Sequence, residues 1–360
     1  MSSRELTYIE AIKEAFDLTL ELDSNVVLIG EGVPDPKAIF TSTIGLQEKY
    51  GKQRIFDMPL SENGMTGICI GAALSGLRPV LIHQRIDFSL LAVDQIINNA
   101  AKWHYMFNGQ ANVPVVVRMI VGRGWGQGPQ HSQSLQALYA ANPGLKVVMP
   151  STAYDAKGMM IAAIEDNNPV IFIEHRWLHQ TKSNVPVGHY RVNLNKANIL
   201  REGSKVTIAS FSYMTIEALQ AAEALEAFFK VDVEIVDMRT VAPLDVELVL
   251  DSVKKTGFLI ALDTAHKTGS YSAELISQIV EKGFAFLKAA PVRIASPDFP
   301  APTSPFMSKD YYPSAITIAD AVLDLLSIDY QESDNYNSMK NALLKKLPDD
   351  VPNANFNGPF

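Results

Sequence analysis

The sequence predicts an α/β fold built from two doubly wound domains. Short, almost purely apolar runs recur along the chain, segments with helical spacing separate them, and a polar irregular stretch divides the series in two. Such runs suit parallel strands, because a sheet covered by helices on both sides has no polar face to present.

The elements follow in order. Thr7-x-x-Glu10 is a capping box opening a helix with apolar Ile9, Ile12, Phe16 and Leu20. Val26-Val27-Leu28-Ile29 reads as a buried strand, and residues 79–83, 115–119, 146–149 and 170–173 read likewise. Helical patterns lie near 90–107 and 153–166. Residues 1–185 thus form a first domain, and 186–204, with Pro186, Gly188 and Gly203, a linker. A second domain over 205–328 repeats the alternation, with strands at 206–210, 233–236, 259–262 and 292–294 and helices near 214–229, 245–254, 271–282 and 315–326. Residues 329–360, rich in Asp, Asn and Lys, read as a polar tail with at most one short helix around 339–347.

Composition narrows the function classes. The 360 residues suffice for two cores, and the net charge of −8 gives no basic surface for nucleic acid. The lone Cys69 excludes an intrachain disulfide and a multi-cysteine metal site. No apolar signal region opens the chain and no apolar run reaches about 18 residues, so a cytoplasmic protein without a membrane span is expected.

Three places carry candidate chemistry. The first is the segment from Pro59, Leu60, Ser61 and Glu62 into Gly64, Gly67 and Gly71. The glycine spacing puts all three on one face of a helix. Each costs about 1 kcal/mol relative to alanine there, so the bare face predicts close approach of another backbone. Glu62 at the helix start reads either as a buried acid/base or as an ordinary partner of the helix dipole. The second place is the glycine-rich loop 122–133, which ends in His131-Ser132-Gln133. Its glycines at 122, 124, 126 and 128 fit no Gly-x-Gly-x-x-Gly register, and Pro129 removes an amide that phosphate binding would use. What remains is a loop at a strand end delivering one histidine, as an acid, a base or a residue tied to backbone. The third is Gln84-Arg85-Ile86-Asp87-Phe88, where an aromatic beyond a strand end either stacks on a flat ring or packs in the core. No P-loop, His-Glu-x-x-His or Gly-x-Ser-x-Gly motif is present.

Together these residues resemble the beta subunit of the thiamine-diphosphate-dependent decarboxylating component of the pyruvate, branched-chain 2-oxo acid and acetoin dehydrogenases, within the transketolase superfamily. The resemblance spans residues 5–326 and rests on Leu60-Ser61-Glu62 with its glycine helix, Gln84-x-x-Asp87-Phe88, Ala92-x-Asp94-Gln95-Ile96, His131-Ser132-Gln133, the 143–150 and 165–169 segments and Asp237-Met238-Arg239-Thr240-x-x-Pro243-Leu244-Asp245. It implies a pyrimidine-binding domain followed by a transketolase C-terminal domain. It also implies that Glu62 meets the aminopyrimidine ring of the cofactor, in a setting that raises its pKa, and that Leu60, Gln84 and Phe88 line the cofactor with Phe88 stacked on the ring. His131 is implied to work on the substrate side. The family further implies potassium held by the main-chain oxygens of Ala163, Ile164, Asp166 and Asn168. The chain has no Gly-Asp-Gly motif for magnesium and diphosphate, Gly30-Glu31-Gly32 being the nearest look-alike. In the family that motif belongs to an alpha subunit, so the resemblance implies an alpha2beta2 heterotetramer in which magnesium and diphosphate are held mainly by the partner chain. A lipoyl acyltransferase is the implied acceptor component, and pyruvate the expected 2-oxo acid. The alternative reading is half of a split transketolase-like enzyme using an aldehyde or sugar acceptor. Arg85 stands where common members carry an apolar residue; it reads either as facing the cavity to pair with a carboxylate or phosphate of the substrate or, the favoured reading, as lying at a subunit interface.

Overall fold

The computed structural model describes residues 3–123 and 127–344. Gly124, Trp125 and Gly126 of the glycine-rich loop, and the tail from 345 onward, lie outside the described residues. The chain divides into two compact units. Among the described residues the first comprises 3–123 and 138–194, the second 127–137 and 195–344.

In the first unit, β1 (Ser3–Thr7) leads into α1 (Tyr8–Leu22). The predicted capping box is present: the Thr7 amide donates to the Glu10 carboxylate at 2.8 Å and the Glu10 amide to Thr7 Oγ1. Tyr8, Ile9, Ile12, Phe16 and Leu20 of α1 are buried. There follow β2 (Val26–Gly30), α2 (Leu46–Tyr50), β3 (Ile55–Phe56), α3 (Glu62–Leu74) and β4 (Arg78–His83). The segment after β4 is not the single helix that 90–107 predicts. A 3₁₀ turn covers Ile86–Ala92, a π-helical turn Gln95–Ala100, and only α4 (Ala101–Met106) is α-helical. Polar side chains brace this run, Asn98 donating to Asp94 at 2.7 Å and Asn99 to Gln95 at 3.0 Å. Next come β5 (Val116–Val121), α5 (Gln136–Ala140), which begins in the second unit, β6 (Lys146–Val148), α6 (Ala153–Glu165), β7 (Val170–His175) and β8 (Lys182–Pro186), which pairs antiparallel with β1.

The strands of the main sheet run β6-β7-β5-β4-β2-β3, all parallel, and burial along β2, β5 and β7 is complete. The chain leaves β2 toward β3 on one side and leaves β4 toward β5 on the other. That reversal opens a crevice at the carboxyl ends of β2 and β4, where ligands of such sheets bind.

One ion pair is sealed inside this unit. Arg118 of β5 and Glu174 of β7 are fully buried and pair bidentately, with Nη2 to Oε2 at 3.0 Å. Arg118 Nη1 donates to Ser42 Oγ at 2.7 Å, and His179 Nε2 lies 3.0 Å from Glu174 Oε2. Burial alone would raise the Glu174 pKa, but Arg118 above all holds it at about 2. Burial outweighs Glu174 at His179 and pushes that imidazole down to about 4. Near neutral pH the cluster is therefore an arginine–carboxylate pair with a neutral histidine.

The second unit contains β9 (Asn198–Arg201), β10 (Val206–Ser210), α7 (Met214–Phe229), β11 (Val233–Asp237), β12 (Thr240–Ala242), α8 (Val246–Thr256), β13 (Leu259–His266), α9 (Tyr271–Gly283), β14 (Val292–Ser296), α10 (Pro305–Ser308), α11 (Ala315–Leu325) and α12 (Asp334–Leu344). Its sheet runs β14-β13-β10-β11-β9, with β9 antiparallel to β11. The stretch read as a linker thus supplies an edge strand. The start of the polar tail is likewise folded: α12 lies on α7, and Tyr330, Met339 and Leu343 enter the same core as Ala218, Leu225 and Val322. The Asp/Asn/Lys content marks only the outer face of that helix.

Candidate active site

The crevice is built at the ends of β2 and β4. Gly30 ends β2 with no room for a side chain, since a Cβ there would stand 2.5 Å from the Ile82 carbonyl oxygen of β4. Gly32 turns the chain away at a φ of +73°, which favours glycine, and its amide donates to Asp57 Oδ1 at 2.9 Å. Between them Glu31 offers its carbonyl to Gln84 Nε2 at 2.8 Å, tying the end of β2 to the residue after β4. The Gly-Glu-Gly look-alike is therefore a tight turn at the switch point.

Glu62 is the first residue of α3 and is 7% exposed. No side chain caps this helix start, so its free amides and positive dipole end favour an anion there. Burial raises the pKa of Glu31, and the negative charges of Glu62 and Asp57 raise it further, so three carboxyl groups share this end of the sheet. Phe88 sits half-buried in the 3₁₀ turn that follows β4. His83, the last residue of β4, is 2% exposed, and its Nε2 has no hydrogen-bond partner among the described residues. Burial holds its imidazole at about 4, hence neutral near pH 7. A buried carboxyl, a strand-end amide side chain, an aromatic face and a neutral imidazole at a switch point fit a flat, hydrogen-bonding heterocycle.

Residues 4–181 match the family described as "Transketolase, pyrimidine binding domain", and residues 195–318 match "Transketolase, C-terminal domain". The chain is 42% identical over 329 residues to an "Acetoin:2,6-dichlorophenolindophenol oxidoreductase subunit beta" of Cupriavidus necator, covering 89% of this chain and 97% of that one. It is 40% identical to a "2-oxoisovalerate dehydrogenase subunit beta" of Bacillus subtilis, covering 89% and 98% respectively. The chain belongs to the thiamine-diphosphate-dependent 2-oxo acid dehydrogenase beta-subunit family. A "Pyruvate dehydrogenase E1 component subunit beta" of Bacillus subtilis is 38% identical, covering 83% of this chain and 92% of that one. A solved structure titled "Split gene transketolase, inactive beta4 tetramer" matches with a TM-score of 0.72 at 21% identity, covering 90% of this chain and 99% of that one, and so shares the fold.

Within this beta-subunit fold the sequence-derived residues fall as follows. Glu62, Gln84 and Phe88 all belong to the first unit, Gln84 and Glu62 through their shared neighbour Glu31. Leu60 precedes α3 and is 79% exposed. His131 is half-buried and belongs to the second unit, in the loop leading to α5. That loop is pinned to the end of β13: Ser134 Oγ donates to Thr264 Oγ1 at 3.1 Å, and Gln136 donates to the buried Asp263. Burial raises the Asp263 pKa, against the hydrogen bonds it accepts.

Arg85 is not a surface residue. It is 6% exposed, its guanidinium lies 5.0 Å over the Phe40 ring, and Arg176 covers the same ring at 4.6 Å. Burial pushes the pKa of both arginines down to about 10. Phe40, from the loop after β2, lies against the Arg85 guanidinium, so within this chain the side chain is buried rather than presented on an open surface. Phe40, Ala38 and Thr41 of that loop all have positive φ, a cluster of backbone strain at the site end of the sheet.

Three of the four main-chain oxygens that the resemblance implied for potassium already accept hydrogen bonds within the chain. The carbonyl oxygens of Ile164 and Asp166 each accept from Arg78 Nη1 at 3.0 Å, and the Ala163 oxygen accepts from the Asp166 amide. Among the described residues no group of three or more His, Cys, Asp or Glu side chains could hold a metal ion, and no helix is long and apolar enough to cross a membrane.

Sequence reasoning treated Glu31 only as part of a motif look-alike and passed over Asp57, His83 and Arg78. Glu31 had a signal: the residue following a strand end in a parallel sheet. The other three depend on contacts between distant segments.

Proposed function

We propose that the chain is the beta half of a 2-oxo acid dehydrogenase active site, with pyruvate as substrate and a lipoyl acyltransferase component as acyl acceptor. The single observation that carries this reading is the buried Glu62 at the uncapped start of α3, beside the β2–β4 crevice. Bound thiamine diphosphate supplies a nucleophilic ring carbon and an electron sink for decarboxylation. Glu62 would hold or share a proton with the pyrimidine ring nitrogen, Phe88 would lie against the ring face, and Gln84, fixed by Glu31, would close the crevice beside them. Leu60 would cover the cofactor edge together with the partner chain. His131 would serve proton or acyl transfer on the substrate side.

The alpha chain would bring the magnesium and diphosphate ligands, in an alpha2beta2 assembly. The bare face of α3 supports this. Nothing lies within 4 Å of where a Cβ would stand at Gly64 or Gly71, and the neighbouring Ile68 is 59% exposed. A close helix contact from another chain would use that face and cover its apolar side chains.

Co-expression with the neighbouring alpha-like chain, followed by a panel of 2-oxo acids with an artificial electron acceptor, tests the reading. The expected products are carbon dioxide and an acyl group recoverable on lipoamide, with pyruvate the preferred substrate. A new carbon–carbon bond to an aldehyde, without net oxidation, would overturn it in favour of a split transketolase-like enzyme.

A further inference from the structure

The turn between α6 and β7 gathers oxygen atoms around one positive charge. Helix α6 ends at Glu165 with its last carbonyls unpaired within the helix, and the negative end of its dipole favours a cation there. Arg78, the first residue of β4, reaches this end from across the sheet. Its Nη1 donates to the carbonyl oxygens of Ile164 and Asp166, both at 3.0 Å, and its Nη2 donates to Asn167 Oδ1 at 2.8 Å. Asp23 Oδ2 lies 3.5 Å from its Nε. The turn is closed on itself as well: the Asp166 side chain accepts from the Asn168 amide at 2.9 Å and pairs with Lys146.

Two carbonyl oxygens around Nη1, with a side-chain oxygen on the adjacent Nη2, line a pocket whose chemistry suits a monovalent cation with oxygen ligands. Here the pocket is filled by a guanidinium, which is always charged and spans several acceptors in a fixed plane. An ion placed there would stand against a like charge and find the oxygens of Ala163, Ile164 and Asp166 already hydrogen-bonded. We propose that Arg78 is a built-in cation for the α6–β7 turn, so that this subunit needs no potassium where the family's main-chain oxygens can take it. A tethered charge does not dissociate, whereas a bound ion stabilises only in proportion to its concentration.

The test is thermal unfolding of the full chain in potassium, sodium or choline chloride at equal ionic strength. Wild type is expected to unfold at the same temperature in all three. Arg78→Ala is expected to lose on the order of 5 °C in choline chloride and to regain most of it in potassium chloride. Arg78→Lys, which keeps a charge in the pocket, is expected to unfold slightly early and to gain nothing specific from potassium. A potassium-specific rise in wild type would overturn the proposal. So would an Arg78→Ala protein that folds but responds identically to potassium and choline, since Arg78 would then be a simple hydrogen-bonding brace. Should Arg78→Ala fail to fold, a potassium-specific gain in Arg78→Lys would also count against it.

Discussion

Glu62→Gln in the complete assembly is expected to lower turnover by about 10²–10⁴ and to slow proton exchange at the thiazolium carbon by a similar factor, with folding intact. The carboxyl is buried at the start of α3, and an amide of the same shape cannot give and take back a proton as a carboxyl acid/base does. Folding should survive for specific reasons. The bond from Thr66 Oγ1 at this helix start goes to the Glu62 main-chain oxygen at 2.7 Å, which the substitution leaves in place. The amide also removes a negative charge that bears on the partly buried Glu31. Exchange at the wild-type rate in the variant would refute the assigned role, whatever happened to overall turnover.

Arg118→Leu is expected to destabilise the first unit by about 3–5 kcal/mol, because it leaves Glu174 charged, fully buried and without its guanidinium. That corresponds to a fall in unfolding temperature on the order of 10 °C. The double variant Arg118→Leu/Glu174→Leu should recover much of the loss, since two apolar side chains leave no orphaned charge. The native pair also sets a pH window. The folded-state pKa of Glu174, about 2, lies below its ordinary value, so the pair's contribution is complete above the ordinary glutamate range. It is lost as pH falls through that range toward 2. Urea unfolding of both variants near neutral pH checks the argument. A single variant within about 1 kcal/mol of wild type would contradict it.

Much of this fold is written locally. The capping box at Thr7 and Glu10 and the apolar runs of β2, β5 and β7 need no long-range partner to be recognised. What escaped was set by contacts between distant segments. Met339 and Leu343 become core residues only because α7 offers them an apolar face, so composition alone made that helix a tail. β9 is a strand because β11 presents it an edge. The polar bracing among Asp94, Gln95, Asn98 and Asn99 overrides the apolar spacing that predicted one continuous helix. At the site, the positions of Glu62, Gln84 and Phe88 could be read from short motifs at helix and strand ends. Arg85 could not, because its environment is the ring of Phe40 in a loop more than forty residues away. Arg78 could not either, since its acceptors lie at the end of a helix that follows two further strands.

The central claim is that this chain supplies the pyrimidine side of a cofactor site whose diphosphate side comes from another chain. Calorimetric titration with thiamine diphosphate and magnesium, on the chain alone and then with its alpha partner, tests it most directly. Tight, magnesium-dependent binding is expected only in the presence of the partner, with one cofactor bound per pair of chains. Tight magnesium-dependent binding by the isolated chain would contradict it.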